Sequence, residues 1–407
     1  MTTVWSVVGF AVPLNNALPS ALRTIWFLTI FGSICLSILL MRVGKPLYPA
    51  VWVFAGYATL ISALTATDQV TVSDNVFVAV QILALIGLAP FALTRNASDD
   101  EYFAKRVSVA FLAGQTLSAL VAVLQLLGQT IEVPGTIYGA VYGRAAGLAE
   151  HPTTLGLMSC IAVLVSLRIL FTSRRFRILV LVALAANLLS LVASGSLTSA
   201  VMGLAIGLLV LVFCEREHLG RMLGWGVTFV VLLAVVFAAT GVGQHLPSLA
   251  ERYDQVTSPT EAGSWNARTL TFDFAWNRIM EDPVFGEGLS AKARGSYNGV
   301  TTVHNSVLRA WYQGGVILGI AYGALFFVVL VVVIRSMARR KYGGEASVMA
   351  AIFAYAMVSP LLEQRHLWLP VLICWASISR MESAAKIKAA PSLKGLDASF
   401  AGTRKLR

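Results

Sequence analysis

The sequence predicts an all-α, polytopic membrane protein, and three observations carry that reading. Of 407 residues, 57% are hydrophobic and only 13% are charged. Mean hydropathy is +0.75. The apolar residues also gather into runs about as long as the ~20 residues that cross a ~30 Å hydrocarbon layer. A soluble chain is nearer half apolar with about a quarter of its residues charged, which excludes a soluble globular enzyme. No low-complexity tract and no triplet or heptad repeat is present, so a disordered or fibrous chain is excluded too.

Apolar runs bounded by charged or turn-forming clusters fall at 4–20, 24–41, 49–66, 75–93, 107–128, 153–171, 178–194, 197–213, 222–240, 306–334, 346–362 and 366–380. That makes about twelve spans, or eleven if the first segment is re-entrant, because Pro13, Asn15 and Asn16 interrupt it. The first run lacks a basic n-region and a clear cleavage site, so it does not read as a removable signal peptide. The expected organisation is one transmembrane domain over 1–380, holding a large outer loop at 241–305, and a basic tail at 381–407.

The basic residues orient the spans, since Lys and Arg stay in cytoplasmic loops. With both termini inside, 22 of the 31 Lys and Arg fall on the inner side, against 8 of the 20 Asp and Glu. The formal charge of +11 therefore divides into +14 inside and −3 outside. The excess is juxtamembrane, where it meets anionic lipid head groups. A nucleic-acid partner would need a basic folded face, and no soluble domain carries one. Cys35, Cys160, Cys214 and Cys374 lie in spans or at their inner ends, so no disulfide framework is expected.

Two outer segments exceed short turns, 129–152 and 241–305, and long loops in compact proteins are usually functional. The spans hold no Asp or Glu, and apart from Arg380, which ends the last run, their arginines are Arg168 and Arg309, near span ends. Transporters and pumps normally place ionisable groups near the midplane, so the chemistry moves to the outer rim. In the long loop, Phe272, Ala275, Trp276, Ile279 and Met280 keep helical spacing between Arg268 and Met280. Ser264 or Asn266 can cap that helix and Asp282-Pro283 stops it. An amphipathic helix on the membrane surface is expected, with a simple lid as the plainer alternative.

His304 opens the tenth span. Its ordinary pKa of ~6.5 makes histidine the natural proton acceptor near neutral pH. At ~1.5 Å per residue, 306–334 would run ~43 Å, so its first turns should project above the hydrocarbon and offer N–H groups to an anion. The plainer alternative is an interfacial histidine with satisfied hydrogen bonds. Arg144, Arg268, Arg309 and Arg365 lie on the same side, beside Asn305, His151 and His366. The planar fork of arginine binds phosphate bidentately, while each arginine alone could be a surface anchor. The histidines lack a paired ligand spacing and no cysteine lies outside, so neither a metal nor another cofactor is expected. No nucleophile elbow or P-loop occurs. Gly315, Gly319 and Gly323, like Gly203 and Gly207, read as small residues that let helices approach closely.

With these residues assembled, the chain from about 107 to 380 resembles the O-antigen ligase and polymerase superfamily of bacterial envelope glycan enzymes. His304-Asn305, followed by Gly315 and Gly319, resembles the family's His-Asn and Gly-x-x-Gly pattern, one residue longer in spacing. Arg144…Gly147…His151-Pro152…Leu155-Gly156, Trp265-Asn266-Ala267-Arg268 and Pro283-Val284-Phe285-Gly286-Glu287-Gly288-Leu289 resemble further family segments. So does Ser194-Gly195-Ser196-Leu197-Thr198-Ser199, where Leu197 stands in place of a frequent cation.

The resemblance implies metal-independent, inverting glycosyl transfer at the outer face of a bacterial inner membrane. The donor would be an undecaprenyl-diphosphate-linked glycan and the acceptor a glycan or glycolipid, with membrane lipids as the surrounding partner. His304 would be the base. Arg268 and Arg144 would hold the diphosphate, with Arg309, Arg365, Asn305 and His151 in support. Three functions compete: a polymerase of repeat units, a ligase onto a lipid core or protein, and a flippase or exporter without chemistry. The Ser194–Ser199 segment is more similar to exopolysaccharide polymerases, while the outer His/Arg set weighs against the flippase.

Overall fold

The computed structural model describes residues 2–17, 32–65, 72–129, 131, 140–141, 144–173, 176–218, 220, 224, 264–289, 296–297, 301–359 and 365–389. The described residues are mostly helical, with two antiparallel pairs of two-residue strands. Five helices are long and apolar enough to cross a membrane: Asp74–Asp99, Phe103–Leu126, Pro152–Thr172, Arg177–Ser194 and Ser306–Arg339. The run expected at 222–240, the loop at 241–263 and most of the basic tail lie outside the described residues.

The chain begins with α1 (Thr2–Ala11), which tightens into a 3-10 turn over Val12–Ala17. Pro13 explains the end of the α-helix, because its ring excludes the amide that the ladder needs. Ten residues at ~1.5 Å each reach only half-way across the hydrocarbon, consistent with the interruption read from the sequence. Next come α2 (Gly32–Met41) and α3 (Pro49–Thr65). Then α4 (Val72–Ile82) runs through a π turn, Leu83–Leu88, into α5 (Ala89–Asp99). The widened turn precedes Pro90, whose missing N–H an α-helix could not accommodate without a kink.

The helix α6 (Phe103–Leu126) leads to the strand pair β1 (Ala140–Val141) and β2 (Arg144–Ala145). Three elements follow: α7 (Pro152–Thr172), α8 (Arg177–Ser194), and a π turn, Ser199–Ala205, that continues as α9 (Ile206–Cys214). Most of α7 is buried, so it forms the centre of this half. Gly203 and Gly207 let α9 and its π turn lie against Leu157, Cys160 and Leu164 of α7, as small residues in membrane helices should. Next come α10 (Ser264–Glu281) and the strands β3 (Ser296–Tyr297) and β4 (Thr301–Thr302). The chain then forms α11 (Ser306–Arg339), α12 (Gly343–Ala356) and α13 (Arg365–Ala389). At the far end from the outer loop, Arg168 of α7 pairs with buried Glu345 of α12, and Ser377 donates to Glu345 Oε1 at 2.9 Å.

The tenth span corrects the sequence reading. It is broken at Gly315, where φ is 75° and ψ −179°. A β-carbon on Gly319 would stand 2.7 Å from Trp311 Cβ, and one on Gly323 would stand 4.0 Å from Val307 Cγ1. On an unbroken helix those pairs are ~12 and ~24 Å apart. The first arm, 306–314, therefore folds back antiparallel along the start of the second. No straight ~43 Å rod projects outward, although 316–339 is still ~36 Å long. The glycine series serves this hairpin rather than a contact between separate helices.

Breaking a helix exposes carbonyls that have lost their i+4 donors. The Pro283–Leu289 segment supplies replacements: the Glu287 and Gly288 N–H groups donate to the carbonyls of Tyr312 (3.1 Å) and Gln313 (3.0 Å). Ser62 Oγ of α3 donates to Gly314 O at 2.6 Å. In return, Val284 O accepts from the Val316 N–H at 3.3 Å, and Pro283 O from Trp311 Nε1 at 3.1 Å. A β-carbon on Gly286 would stand 2.1 Å from Gln313 O, and one on Gly315 2.2 Å from Val284 O.

Gly315→Ala should therefore destabilise the protein by about 1–3 kcal/mol, from a disfavoured φ and backbone overlap. Gly323→Ala, whose β-carbon would meet Val307 Cγ1 at an ordinary van der Waals distance of 4.0 Å in a regular helix, should be neutral or slightly stabilising. Thermal unfolding of the two detergent-solubilised variants compares them directly; equal melting temperatures would contradict the hairpin.

Candidate functional site

The start of α7, the end of α8, the starts of α10 and α11 and the end of α12 bring most of the sequence-predicted residues onto one arc. Its centre is the turn that follows α8. Gly195 takes the left-handed conformation that ends the helix (φ 54°), and the Ser199 N–H donates to Ser196 Oγ at 3.2 Å. Ser199 Oγ donates to Thr153 O at 3.0 Å, which ties the turn to the start of α7. Gly156 allows this approach, because a β-carbon there would stand 2.8 Å from Ser194 Oγ and 2.9 Å from Ser199 Oγ.

Two arginines from different outer segments reach this turn. Arg144 of β2 donates from Nε to Ser194 O at 2.9 Å. Its strand is held to α6 through Gly147, whose N–H donates to Gln125 Oε1 at 2.8 Å. Arg268, in the second turn of α10, donates from Nη2 to Thr198 Oγ1 at 2.8 Å. Among the described residues that is the one hydrogen bond of its guanidinium, and its buried Nε has no partner. Burial pushes the Arg268 pKa below the ordinary arginine value, with Tyr355 opposing; the group stays cationic, since arginine does not deprotonate in proteins.

His151 caps α7. Its Nδ1 accepts from the Thr153 N–H at 3.2 Å and lies 2.8 Å from Thr153 Oγ1. Desolvation and then the charge of Arg144 push its pKa below the usual histidine value. The ring is therefore a neutral capping group beside the arginine turn.

The second part of the arc is the start of α11. Asn305 is its N-cap: Oδ1 accepts from the Val307 (3.1 Å) and Leu308 (2.9 Å) N–H groups. Asn305 Nδ2 and Ser306 Oγ donate to Met357 O and Ser359 O, both at 3.1 Å, just beyond α12. Half-buried His304 precedes this cap and follows Val303, which is buried with Ala275 and Ile279 of α10 and Leu308 and Tyr312 of α11. The packing that seats α10, and with it Arg268, thus also seats His304. Buried Tyr355 of α12 lies near Arg268, and its hydroxyl makes no hydrogen bond among the described residues.

The structure does not bring every expected residue to the rim. Arg309 is 1% exposed and lies inside the hairpin, its Nε donating to Gln313 Oε1 at 3.0 Å. The side chains of Arg365 and His366 lie outside the described residues. Thr198 was read only as part of the Ser194–Ser199 segment and given no role, and Thr153 and Tyr355 escaped sequence reasoning, since an apolar-helix tyrosine carries no signal. The helix α10 forms over Ser264–Glu281 and ends where Asp282 Oδ1 accepts from the Phe285 N–H at 3.0 Å. Of its expected apolar face, Ala275 and Ile279 are buried on α11, whereas Phe272, Trp276 and Met280 form an exposed apolar row. Among the described residues, no three His, Cys, Asp or Glu side chains converge as metal ligands would.

Residues 182–323 match the family model described as O-Antigen ligase. The match covers about a third of the chain, from the middle of α8 through the arginine turn and α10 to the hairpin. It supports the resemblance to the O-antigen ligase and polymerase superfamily, and with it glycosyl transfer as the activity at family level. No curated protein matches the chain. The apolar helices and this match together indicate a multi-pass membrane protein.

The depressed His151 pKa predicts a pH effect. A histidine whose folded pKa lies below its unfolded value contributes stability that is fully present above ~6.5 and is lost as pH falls through the folded value. Protonation also places a cation at a helix N-terminus. Melting temperatures taken from pH 7.5 to 5 should fall more steeply for the wild type than for His151→Asn, which caps without titrating. The difference should approach ~1 kcal/mol, the usual worth of an N-cap.

Proposed function

We propose that the protein transfers a glycan from undecaprenyl diphosphate to a sugar hydroxyl at the outer face of the inner membrane, as a polymerase of repeat units. The observation that carries the reading is the arc itself. Two arginines from separate segments meet one turn, and the His304-Asn305-Ser306 cap is seated on Met357 O and Ser359 O at the same end of the helices, with buried Tyr355 of α12 near Arg268. The orientation read from the basic residues puts this arc outside, with about twelve spans and both termini in the cytoplasm.

The chemistry follows from these side chains without a metal. A diphosphate is already a good leaving group, so the main requirement is stabilisation of its charge as the anomeric C–O bond breaks. Arg268 and Arg144 supply that. The acceptor hydroxyl gives its proton to His304 while its oxygen bonds the anomeric carbon from the opposite face, which inverts the centre. The exposed row Phe272, Trp276 and Met280 sits beside the polar row Thr269, Asp273, Asn277 and Glu281 on α10. A boundary of that kind suits a helix lying in the interface, with the donor's diphosphate at the level of Arg268.

A ligase uses the same groups and differs in its acceptor. The Ser194–Ser199 segment, more similar to exopolysaccharide polymerases, favours the polymerase. The test is to incubate reconstituted protein with one lipid-linked repeat unit and no other acceptor. A product ladder is expected, and it should vanish in His304→Ala while membrane insertion and folding persist. An undiminished ladder in that variant would sink the mechanism; a single product that appears only with an added glycolipid or protein acceptor would mean ligase.

A further inference from the structure

We propose that Thr198 is a positioning residue for Arg268, and that its hydroxyl sets the angle at which this arginine meets the donor diphosphate. The inference rests on the transfer reading given above. It starts from an asymmetry at the arginine turn. Arg144 holds a backbone carbonyl, that of Ser194, which any residue at 194 would provide. Arg268 holds a side chain, the Thr198 hydroxyl at 2.8 Å, which only a few residue types provide.

The guanidinium of Arg268 has no carboxylate within ion-pair distance among the described residues, and Thr198 is its single hydrogen-bond partner there. An arginine side chain has four rotatable bonds, so one directional contact near its tip determines where its remaining donors point. Thr198 is itself rigidly placed. It sits within the turn closed by the Ser199 N–H to Ser196 Oγ bond and by Ser199 Oγ on Thr153 O. The turn rests on Gly156, where a β-carbon would stand within 3.0 Å of Ser194 Oγ, Ser196 Cβ and Ser199 Oγ. A short, neutral acceptor is what the task calls for. A carboxylate at 198 would neutralise the guanidinium and repel the donor, whereas a hydroxyl orients it and leaves the charge for phosphate.

The test measures turnover of reconstituted full-length protein on undecaprenyl-diphosphate-linked glycan extracted from the host's own membranes. Thr198→Val keeps the shape of the side chain and removes the hydroxyl. It should lower kcat about 10–100-fold, the scale of a misplaced catalytic group, with donor KM within about twofold. Thr198→Ser should recover most of the loss. In an Arg268→Ala background, Thr198→Val should cost nothing further, because the group it orients is gone. Wild-type kcat in Thr198→Val, or a loss that multiplies onto that of Arg268→Ala, would overturn the positioning role while leaving the transfer reading intact. Wild-type turnover in Arg268→Ala itself would overturn both.

Discussion

The arrangement of the candidate site depends on three carbonyl groups. Where α11 breaks at Gly315, the oxygens of Tyr312, Gln313 and Gly314 lose the donors that a continuous helix would have given them. In lipid no water replaces them, and each orphaned group would cost several kcal/mol. The chain answers with two amides from Glu287 and Gly288 and one hydroxyl from Ser62. Irregular backbone at a membrane protein's rim is tolerated where other protein satisfies it. Here that requirement fastens a loop to a hairpin.

The fastening has consequences for distant residues. Because Pro283–Leu289 is fixed at the hairpin's vertex, the helix just before it, α10, lies along the first arm, where Ala275 and Ile279 meet Val303, Leu308 and Tyr312. Phe274 adds an edge contact to Tyr312, with centroids 5.7 Å apart, and Trp276 adds one to Trp311 at 6.2 Å. Arg268 therefore arrives at the Ser194–Ser199 turn from one end of a braced helix, while His304 is seated at the base of the brace. Reacting groups on separate loops gain their mutual placement from such rigid supports.

The spans at α6, α7 and α8 were readable from the sequence because continuous apolar runs between charged clusters suffice to define a helix in lipid. The helix α10 was readable from the spacing of Phe272 through Met280 and the Asp282-Pro283 stop, whereas its packing against α11 was not. The hairpin was not. Apolar composition is the same for a straight helix and for one folded back, and Gly315, Gly319 and Gly323 suit close packing against any neighbour. The adjacent pair Gly314-Gly315 inside an apolar run was the available sign of a break. Its meaning depended on Gly286, 29 positions earlier, which only the folded chain brings into contact. The candidate site was legible as a set of outer cations and a histidine. The partners that arrange them were not: Thr198 lay in a segment marked only by its resemblance, and Ser359 and Met357 have ordinary local sequences.

The partners of the arginines separate structural charge from chemical charge. Arg168 meets a buried carboxylate, Glu345, which also accepts from Ser377. That pair is closed: its attraction is spent on offsetting the desolvation of both groups, and removing either would strand the other. Arg268 is half-buried yet faces a neutral hydroxyl, so its desolvation is incompletely offset and burial lowers its pKa. A cation held in that condition gains more from an arriving anion than a fully hydrated one, because less water must be displaced and the local dielectric is lower. The gain also grows with the charge on the anion. Under the proposed transfer, a diphosphate whose bond to the sugar is breaking would carry more charge than the intact donor, so a half-desolvated arginine would favour the transition state over the ground state.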